Sequence, residues 1–207
     1  MPENLHKLFV ISSPSGGGKT SLINKLFEDS RSANFEKSIS DTSRQKRQGD
    51  LEGKDYYFLS EKDFKDKINK EEYVEYAIVF GNFYGTSKEE IKTKYNNSNL
   101  ILELDWQGAY AVKELFDDAK LIFLVPPSLD DLKQRLIKRN LDSSKEIESR
   151  LSEAKKEISK SEMYDYLVLN DDFDKAFEDL SQILFEGISP IDFNSRASKD
   201  LIKRLVE

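Results

Sequence analysis

The sequence predicts an α/β protein with a parallel sheet that is covered by helices on both faces. Nearly continuous apolar runs, which are typical of buried strands, alternate along the chain with segments of helical periodicity. The first apolar run is followed directly by a glycine-rich stretch and a helical pattern. Buried strands that alternate with helices imply a parallel sheet whose two faces are both covered.

The first strand is predicted at residues 7–12 (KLFVIS), a short apolar run that ends in Ser, Pro and Gly. The helix that follows has apolar residues at helical spacing, which are Leu22, Ile23, Leu26 and Phe27. Further apolar runs predict strands at residues 99–105, 120–127 and 165–170. A helical pattern follows each of them, so the alternation continues through most of the chain.

Two stretches interrupt this alternation. Residues 37–90 contain a helical segment that Ser60 and Asp63 could cap, followed by an aromatic, β-rich segment. They are predicted to form a small mixed lobe inserted into the core. Residues 136–160 are rich in Lys, Arg, Glu and Ser and are predicted to form an exposed helical excursion.

The last part of the chain carries one short amphipathic pattern. Its apolar residues are Leu201, Ile202, Leu205 and Val206. Two roles are open for this stripe, which are packing on the protein's own core and self-association into a homo-oligomer.

The composition excludes several classes of protein. The chain has 207 residues, of which 38% are hydrophobic and 34% charged, and this indicates a soluble globular protein of one compact domain. Because it has no Cys and one His, a disulfide framework and thiolate or multi-His metal sites are excluded. The net charge of -7 argues against a general nucleic-acid binder. No apolar run approaches the roughly 20 residues of a membrane span, and a cytoplasmic protein without membrane contact is expected.

The stretch SSPSGGGKTS at residues 12–21 is typical of a phosphate-binding loop. In the pattern G-x-x-x-x-G-K-[ST], backbone N–H groups surround phosphate oxygens, the Lys adds charge and the hydroxyl helps to hold Mg²⁺. Gly18, Lys19 and Thr20 match this pattern, whereas Ser13 stands where the first Gly is usual. The three glycines, the Lys, the Thr and both flanking elements argue against an incidental glycine-rich turn. The sequence therefore predicts a nucleotide site on a P-loop NTPase fold.

A second group of residues suggests another anion site. Arg44 and Arg47 lie three positions apart, and two guanidinium groups could bind one phosphate through paired hydrogen bonds. Tyr56 and Tyr84 offer hydroxyl groups that bind phosphate without adding charge. Two interpretations stay open here, which are a second phosphate site and ordinary loop charges beside core aromatic residues.

Six separated blocks, taken in order, resemble the guanylate kinase family. They are SSPSGGGKTSL, SISDTSRQKRQGDLEGKDYYF, VEYAIVFGNFYGTS, LILELDWQG, QRLIKRNLDSSKEIESRLSEAKKE and YLVLNDD, and together they extend over nearly the whole chain. The resemblance implies the reaction ATP + GMP → ADP + GDP with Mg²⁺. It also implies a core at about residues 1–36, 91–135 and 161–188, a GMP-binding lobe at about 37–90, a helical lid at about 136–160 and a C-terminal helix at about 194–206.

Position by position, the resemblance implies a role for each candidate site residue. Lys19, Arg135, Arg139 and Arg150 would be catalytic, the three arginines by closing over the transferring phosphoryl group. Thr20 would hold Mg²⁺ together with ATP. The residues implied to bind ATP are Ser13, Pro14, Ser15, Gly16, Gly17, Gly18, Lys19, Thr20, Ser21 and, near the adenine, Asn170. The residues implied to bind GMP are Ser40, Arg44, Arg47, Asp50, Tyr56, Glu75, Tyr84, Thr86, Glu103 and Asp105.

Within the GMP set, the resemblance separates two tasks. The GMP phosphate would be held by Arg44, Arg47, Tyr56 and Tyr84, and the guanine would be read by Ser40, Glu75 and Asp105. Whether Glu103 or Asp105 lies nearer to Mg²⁺ stays open.

The chain departs from the family's pattern at Asn140, where a Gly often follows the lid arginine, and at Asp50, where Glu is common. Two other functions stay open. One is a protein-interaction module of the same fold with weak catalysis, against which the retained loop and lid arginines argue. The other is a kinase for another phosphorylated acceptor, such as a sugar phosphate, against which the base-reading residues argue.

Overall fold

A computed structural model describes residues 6–47, 49–79, 81–139, 143–189, 191 and 195–207. Within these ranges the chain forms nine β-strands in two sheets and eight α-helices. No helix of the described ranges has the length and apolar character needed to cross a membrane.

The strands are β1 (Leu8–Ser12), β2 (Phe35–Lys37), β3 (Asp41–Thr42), β4 (Tyr57–Phe58), β5 (Tyr73–Val79), β6 (Asn82–Ser87), β7 (Asn99–Glu103), β8 (Lys120–Val125) and β9 (Tyr166–Leu169). The α-helices are α1 (Lys19–Glu28), α2 (Glu61–Asn69), α3 (Lys88–Tyr95), α4 (Trp106–Leu115), α5 (Leu129–Arg139), α6 (Ser144–Ser159), α7 (Phe173–Ser181) and α8 (Arg196–Val206). Short 3₁₀ segments lie at Ser30–Asn34 and Ser161–Met163, and a π-helical segment at Gln182–Glu186 continues α7.

The larger sheet has five strands in the order β2-β7-β1-β8-β9. Strands β2 and β7 pair in parallel, as do β8 and β9, where Phe123 lies opposite Leu167. The predicted parallel core flanked by helices is therefore confirmed. Strand β2 was missed, because it is three residues long and its middle side chain is exposed, so it has no continuous apolar run.

The smaller sheet has the strand order β4-β3-β6-β5 and is mixed. The β3–β4 pair is parallel, whereas β6 runs antiparallel to both of its neighbours. This sheet, with helix α2, is the mixed structure that the sequence predicted for the first interrupting stretch.

Close packing divides the chain into two compact units. The first unit comprises Met1–Phe9, Asn34–Leu102 and Gln107–Ala119. The second unit comprises Val10–Ala33, Glu103–Trp106 and Lys120–Glu207. The division into core, lobe and lid that the resemblance implies stays a prediction.

The first unit has an aromatic core under its mixed sheet. Phe64 of α2 is fully buried, and its ring stacks on Tyr73 at 4.5 Å and on Phe83 at 5.3 Å between ring centroids. Ser60 caps α2, since its hydroxyl accepts a hydrogen bond from the Asp63 amide at 3.1 Å. The sequence therefore located the start of this helix correctly, and the helix positions Phe64 in the core.

The second unit has an aliphatic core. Strands β8 and β9 contribute buried residues such as Leu124 and Val168, and α1 contributes the fully buried Leu22, Ile23 and Leu26. The continuous burial of the described strand interiors explains why they appear in the sequence as apolar runs rather than as alternating patterns.

Helix α8 belongs to the second unit and contacts α6. Its Leu205 is buried, whereas Leu201, Ile202 and Val206 are half-buried. Packing on the protein's own core thus accounts for part of the C-terminal stripe. Self-association through this region stays a prediction.

Phe64→Ala tests the aromatic core of the first unit. We expect this variant to lose about 3–5 kcal/mol of unfolding free energy, because the lost ring leaves a cavity that its stacked neighbours cannot fill. The measurement is urea unfolding followed by circular dichroism. Lys62→Ala, an exposed position of the same helix, is the matched control and should change stability by less than about 0.5 kcal/mol. Equal losses of unfolding free energy in the two variants would contradict a stabilising role for the Phe64 ring.

Candidate active site

The glycine-rich loop connects the buried strand β1 to helix α1. Gly18 is the N-cap of α1 and has a φ of 91°, and Gly16 has a φ of 88°. The Gly17 amide donates a hydrogen bond to the Pro14 carbonyl at 2.8 Å and closes a tight turn. Residues 13–20 surround a hollow of about 130 Å³ at the amino end of the helix. A helix N-terminus with open backbone N–H groups favours a bound anion.

The turn at Gly18 depends on a close neighbour from the end of β9. A Cβ atom at Gly18 would lie 2.3 Å from Asn170 Nδ2, so the glycine is needed for space as well as for its positive φ. Asn170 is buried, and its Nδ2 donates to the Gly17 carbonyl at 2.7 Å. The shape of the loop is therefore set by a side chain that lies about 150 positions away in the sequence.

Lys19 and Thr20 stand at the first two positions of α1. Lys19 Nζ donates to the Leu104 carbonyl at 3.2 Å, and Thr20 Oγ1 donates to Glu103 Oε1 at 2.6 Å. A hydroxyl and a carboxylate at this separation are both oxygen donors of the kind that Mg²⁺ prefers. The residues at this position therefore fit a magnesium ion that would be held jointly with a nucleotide.

The sequence-predicted arginines lie on α5 and α6. Arg150 Nη1 donates to the Ser15 hydroxyl of the loop at 2.7 Å. Arg135 Nη2 donates to the main-chain carbonyl of Asn170 at 2.8 Å. Arg139 is the last residue of α5, and its side chain lies outside the described residues, as does Asn140. Two of the three arginines are thus brought to the loop or to the residue that supports it.

A second cavity adjoins the loop and has a volume of about 360 Å³. It is lined by Gly16, Gly18, Ser21, Arg135, Lys138, Asn170, Asp171 and Phe173. The ring of Phe173 is 41% exposed, so it offers a flat apolar surface at the edge of this cavity. Such a ring can stack on a nucleobase.

In the first unit, two of the predicted base-reading residues, Ser40 and Glu75, lie close to Thr86, another residue of the predicted GMP set. Glu75 of β5 is the cross-strand partner of Thr86 in β6. The Ser40 and Thr86 hydroxyl groups are 3.4 Å apart. Thr86 is fully buried, whereas Ser40 and Glu75 are half-buried. One carboxylate and two hydroxyl groups therefore form a small polar cluster.

Three predicted GMP-phosphate residues, Arg44, Tyr56 and Tyr84, form a second cluster of the first unit, and Arg47 joins it through its main-chain amide. Arg44 forms an ion pair with Asp50 at 2.9 Å, and its guanidinium carbon lies 5.5 Å from the centre of the Tyr56 ring. The Tyr56 and Tyr84 rings are in edge-on contact, with 5.7 Å between the ring centroids. Asp50 also accepts a hydrogen bond from the Arg47 amide, which, together with the Arg44 guanidinium, holds the pKa of Asp50 below its ordinary value. A carboxylate that stays ionised keeps Arg44 in place.

Glu103 and Asp105 belong to the second unit, with the loop. Glu103 contacts Thr20 as described above, whereas the main-chain carbonyl of Asp105 accepts a hydrogen bond from the Ser12 hydroxyl at 3.5 Å. The contact with Thr20 favours Glu103 as the carboxylate nearer to a magnesium ion. Sequence reasoning had left this choice open.

Two residues near the loop were missed by sequence reasoning. Glu157 of α6 is half-buried, and burial raises the pKa of its carboxyl to about 7 although the nearby Lys19 charge lowers it. Tyr164 is buried, and burial raises the pKa of its hydroxyl. A signal for Glu157 was present, because it lies seven positions after Arg150 and so on the same face of the helix. Its acidic character made it resemble the solvated residues around it.

The arrangement of the second unit defines a class of protein. A glycine loop between a buried strand and a helix, with Lys19 and a Thr20–Glu103 pair at the helix start, is the nucleotide site of a P-loop NTPase fold.

Comparisons with known proteins narrow the class to a family. The guanylate kinase family model matches residues 5–187. The chain is 46% identical over 184 residues to a guanylate kinase of Wolbachia sp. subsp. Brugia malayi (strain TRS), covering 88% of this chain and 93% of that protein. It is 47% identical over 178 residues to a guanylate kinase of Hahella chejuensis (strain KCTC 2396), covering 86% of this chain and 85% of that protein.

Solved structures agree with these relatives. The crystal structure of guanylate kinase from Anaplasma phagocytophilum superimposes with a TM-score of 0.71 at 31% identity, and the match covers 99% of this chain and 98% of that one. The chain belongs to the guanylate kinase family.

Gly18→Ala tests the packing of the loop. We expect ATP binding to weaken at least about tenfold, because alanine is strained at positive φ and its Cβ would displace Asn170. Isothermal titration calorimetry measures the affinity. Gly187→Ala is the matched control, since Gly187 also has a positive φ but has nothing within 4 Å of an added Cβ. The Gly187→Ala variant should lose stability but keep its affinity for ATP. An unchanged ATP affinity in Gly18→Ala would refute the packing argument.

Proposed function

We propose that this chain phosphorylates GMP to GDP by direct in-line transfer of the γ-phosphoryl group of ATP, with Mg²⁺. One observation supports this proposal, which is that the chain has two groups of side chains suited to binding phosphate, of different chemistry. The second unit has the P-loop with Lys19 and Thr20, whereas the first unit has Arg44, Arg47 and two tyrosines together with the polar cluster of Ser40, Glu75 and Thr86. A donor and an acceptor nucleotide require two such sets. The relatives named guanylate kinase support the same reaction.

ATP occupies the loop in this proposal. The hollow at residues 13–20 takes its phosphates, and the adjoining cavity takes the adenine beside Phe173. Lys19 is turned towards the Leu104 carbonyl, a weak neutral partner that phosphate oxygens would readily replace. Asn170 acts here through the loop backbone, which it holds in the binding shape.

The Thr20 hydroxyl and Glu103 carboxylate would hold Mg²⁺ with the phosphates of ATP. Mg²⁺ at this position would supply positive charge and so offset the repulsion between two anionic nucleotides. The described arginines add charge near the loop, since Arg150 reaches Ser15 and Arg135 reaches Asn170. Charge that is already in place when the reaction starts stabilises the transferring group at low cost of reorganisation.

The acceptor phosphate would be bound by Arg44 and Arg47 with the hydroxyl groups of Tyr56 and Tyr84. Arg44 is held between Asp50 and the Tyr56 ring, so its guanidinium is ordered before the ligand arrives. An ordered guanidinium loses less entropy on binding than a free surface arginine does. The GMP phosphate is anionic near neutral pH and is itself the nucleophile, so the reaction needs no general base.

Guanine would be read by Glu75 with Ser40 and Thr86. Guanine presents the N1–H and N2–H₂ donors on one edge, and a carboxylate accepts both. Adenine has an acceptor at N1 and no amino group at C2, so it would leave the carboxylate unpaired and facing a lone pair. A mismatch of this kind can discriminate by roughly 10⁴-fold in favourable cases.

The interaction-module alternative is disfavoured by the contacts of the loop. A module without catalysis has no need of a lysine at the helix start, a Thr20–Glu103 pair and an arginine on the loop serine, and this chain has all three. A kinase for a sugar phosphate has no need of the Glu75, Thr86 and Ser40 cluster.

Release of ADP tests the proposal. With Mg²⁺ and ATP, we expect turnover with GMP to exceed turnover with AMP, dTMP or UMP by at least about 100-fold. Of these bases, only guanine presents two neighbouring N–H donors to the two oxygens of the Glu75 carboxylate. A coupled assay of ADP release measures it. ATP hydrolysis without any nucleotide acceptor is the control and should be slow. If ADP release does not depend on GMP, the proposed function is wrong.

Glu75→Gln tests the reading of the base. We expect kcat/KM for GMP to fall by about 100-fold or more, since the amide presents one donor where two acceptors are needed, whereas kcat/KM for AMP should change less than about tenfold. Steady-state kinetics with both nucleotides measure the ratio. Glu89→Gln removes an exposed carboxylate of the same unit and should leave both values unchanged. An unchanged preference for GMP in Glu75→Gln would mean that another group reads the guanine.

A further inference from the structure

Strand β5 turns Tyr73 and Glu75 to opposite faces of the mixed sheet. In a regular strand, residues two positions apart point to the same face. Strand β5 departs from this rule, because Tyr73 lies opposite Ser87 whereas Glu75 lies opposite Thr86. The strand thus holds one extra residue here and forms a β-bulge. Cross-strand partners share a face, and Thr86 and Ser87 are neighbours, so the bulge directs Glu75 to one face and Tyr73 to the other.

The face that bears Tyr73 is held together by a buried carboxylate. Asp41 of β3 is 4% exposed, and its Oδ2 accepts a hydrogen bond from the Tyr73 hydroxyl at 2.7 Å. The same oxygen accepts a hydrogen bond from Lys67 Nζ of helix α2 at 2.5 Å. These three side chains form a network, called here the Asp41 network, that joins α2, β3 and β5. Loss of one partner of a buried carboxylate is costly, so the network resists movement of the strands that it joins.

The hydrogen bond between Tyr73 and Asp41 crosses a strand. Strand β6 lies between β3 and β5, and its residue opposite Asp41 is Gly85. A Cβ atom at Gly85 would lie 3.0 Å from the Phe64 ring and 2.9 Å from the main-chain carbonyl oxygen of Glu75. The Phe64 ring in turn stacks on Tyr73. The Tyr73 hydroxyl therefore reaches Asp41 over a residue without a side chain, and the bulged strand lies close against β6 at this point.

The opposite face of the same strands bears the polar cluster of Ser40, Glu75 and Thr86. Ser40 directly precedes Asp41, and Glu75 is two positions after Tyr73. The Ser40 and Thr86 hydroxyl groups are 3.4 Å apart, and Glu75 is the cross-strand partner of Thr86. The Asp41 network thus joins, from the other side of the sheet, the two chain segments that bring Ser40 and Glu75 to Thr86.

We propose that the Tyr73 hydroxyl determines specificity at the acceptor site, because its hydrogen bond to Asp41 holds the bulge that directs Glu75 towards guanine. Tyr73 is a positioning residue and acts through Glu75. Without the bulge, Glu75 would lie opposite Gly85 and on the face of Tyr73, away from Thr86. The inference rests on the proposed reading of guanine by Glu75 and deepens it.

Tyr73→Phe tests the hydroxyl group and keeps the ring that stacks on Phe64. Isothermal titration calorimetry without ATP measures the affinities for GMP and AMP. We expect the affinity for GMP to fall about tenfold, which corresponds to one hydrogen bond to a charged group, and the affinity for AMP to change less than about threefold. Tyr95→Phe is the matched control, since the buried Tyr95 also donates to a carboxylate, Asp118 Oδ2, at 2.7 Å in the same unit. It should keep the wild-type ratio of the two affinities.

Combination with Glu75→Gln separates positioning from a general structural role. If Tyr73 acts through Glu75, Tyr73→Phe should change the ratio of GMP to AMP affinity by less than about twofold when Glu75→Gln is already present. A structural role would give the same change in both backgrounds. That result, or a wild-type ratio in folded Tyr73→Phe, overturns the proposal.

Variants of Asp41 test the same hydrogen bond from its other end and do not depend on the folding of Tyr73→Phe. Asp41→Asn keeps an oxygen that accepts from the Tyr73 hydroxyl, whereas Asp41→Val does not. We expect the ratio of GMP to AMP affinity to stay near that of the wild type in Asp41→Asn and to fall about tenfold in Asp41→Val. Equal ratios in the two folded variants would contradict the role of this hydrogen bond.

The failure of this inference is distinguishable from failure of the proposed function. A chain that turns over GMP and keeps its ratio of affinities in Tyr73→Phe has the kinase activity without the positioning role. A chain that prefers GMP through Tyr73 and Glu75 but transfers no phosphoryl group has the positioning role without the kinase activity. A wild-type chain that binds GMP no better than AMP has neither.

Discussion

The close approach of Asn170 to Gly18 is the constraint on which the nucleotide site depends. No side chain at position 18 would leave room for the Asn170 amide, and without this amide the Gly17 carbonyl would lose its hydrogen bond. The same asparagine accepts the Arg135 hydrogen bond through its main-chain carbonyl. One residue at the end of β9 therefore fixes the loop, and it also fixes an arginine of α5 relative to that loop. A small shift of β9 would therefore change both the shape of the loop and the position of the Arg135 side chain.

The polar side chains around the loop have hydrogen-bond partners that the phosphates of a nucleotide can replace. Lys19 has a main-chain carbonyl, Arg150 has the Ser15 hydroxyl, and Thr20 has the Glu103 carboxylate. Each of these side chains therefore makes at least one hydrogen bond, which lowers the cost of burying it. Binding of a nucleotide would then replace the hydrogen bonds that Lys19 and Arg150 make to neutral acceptors with stronger ones in which both partners are charged.

The sequence predicted the parts of the structure that local patterns determine. Residues 16–20 predicted the loop, and the apolar runs predicted β1, β7, β8 and β9, because a strand that is buried on both sides has a visible signature. The spacing of Arg44 and Arg47 indicated an anion site, and the resemblance added Asp50 and Glu75. The structure places Arg44 against Asp50, and Glu75 opposite Thr86.

Other features depend on tertiary contacts and leave no local signal. The resemblance implied Asn170 as a residue near adenine, and the structure shows in addition that its side-chain amide donates to the Gly17 carbonyl. The short strand β2 pairs with β7 through three residues, which is too few for a periodic pattern. Glu157 was hidden among the charged residues of α6, since its burial follows from the packing of that helix and not from its neighbours in sequence.

The most direct measurement of the proposed reaction follows the γ-phosphoryl group of ATP itself. ATP that carries a label on this group is incubated with the chain, Mg²⁺ and GMP, and the nucleotides and inorganic phosphate are separated. We expect the label to appear in GDP at the rate at which ADP forms, with little in inorganic phosphate, because the proposed donor and acceptor sites would transfer the group directly from one nucleotide to the other. Label that is released as inorganic phosphate regardless of GMP, or that stays in ATP, would contradict a donor and an acceptor site on one chain.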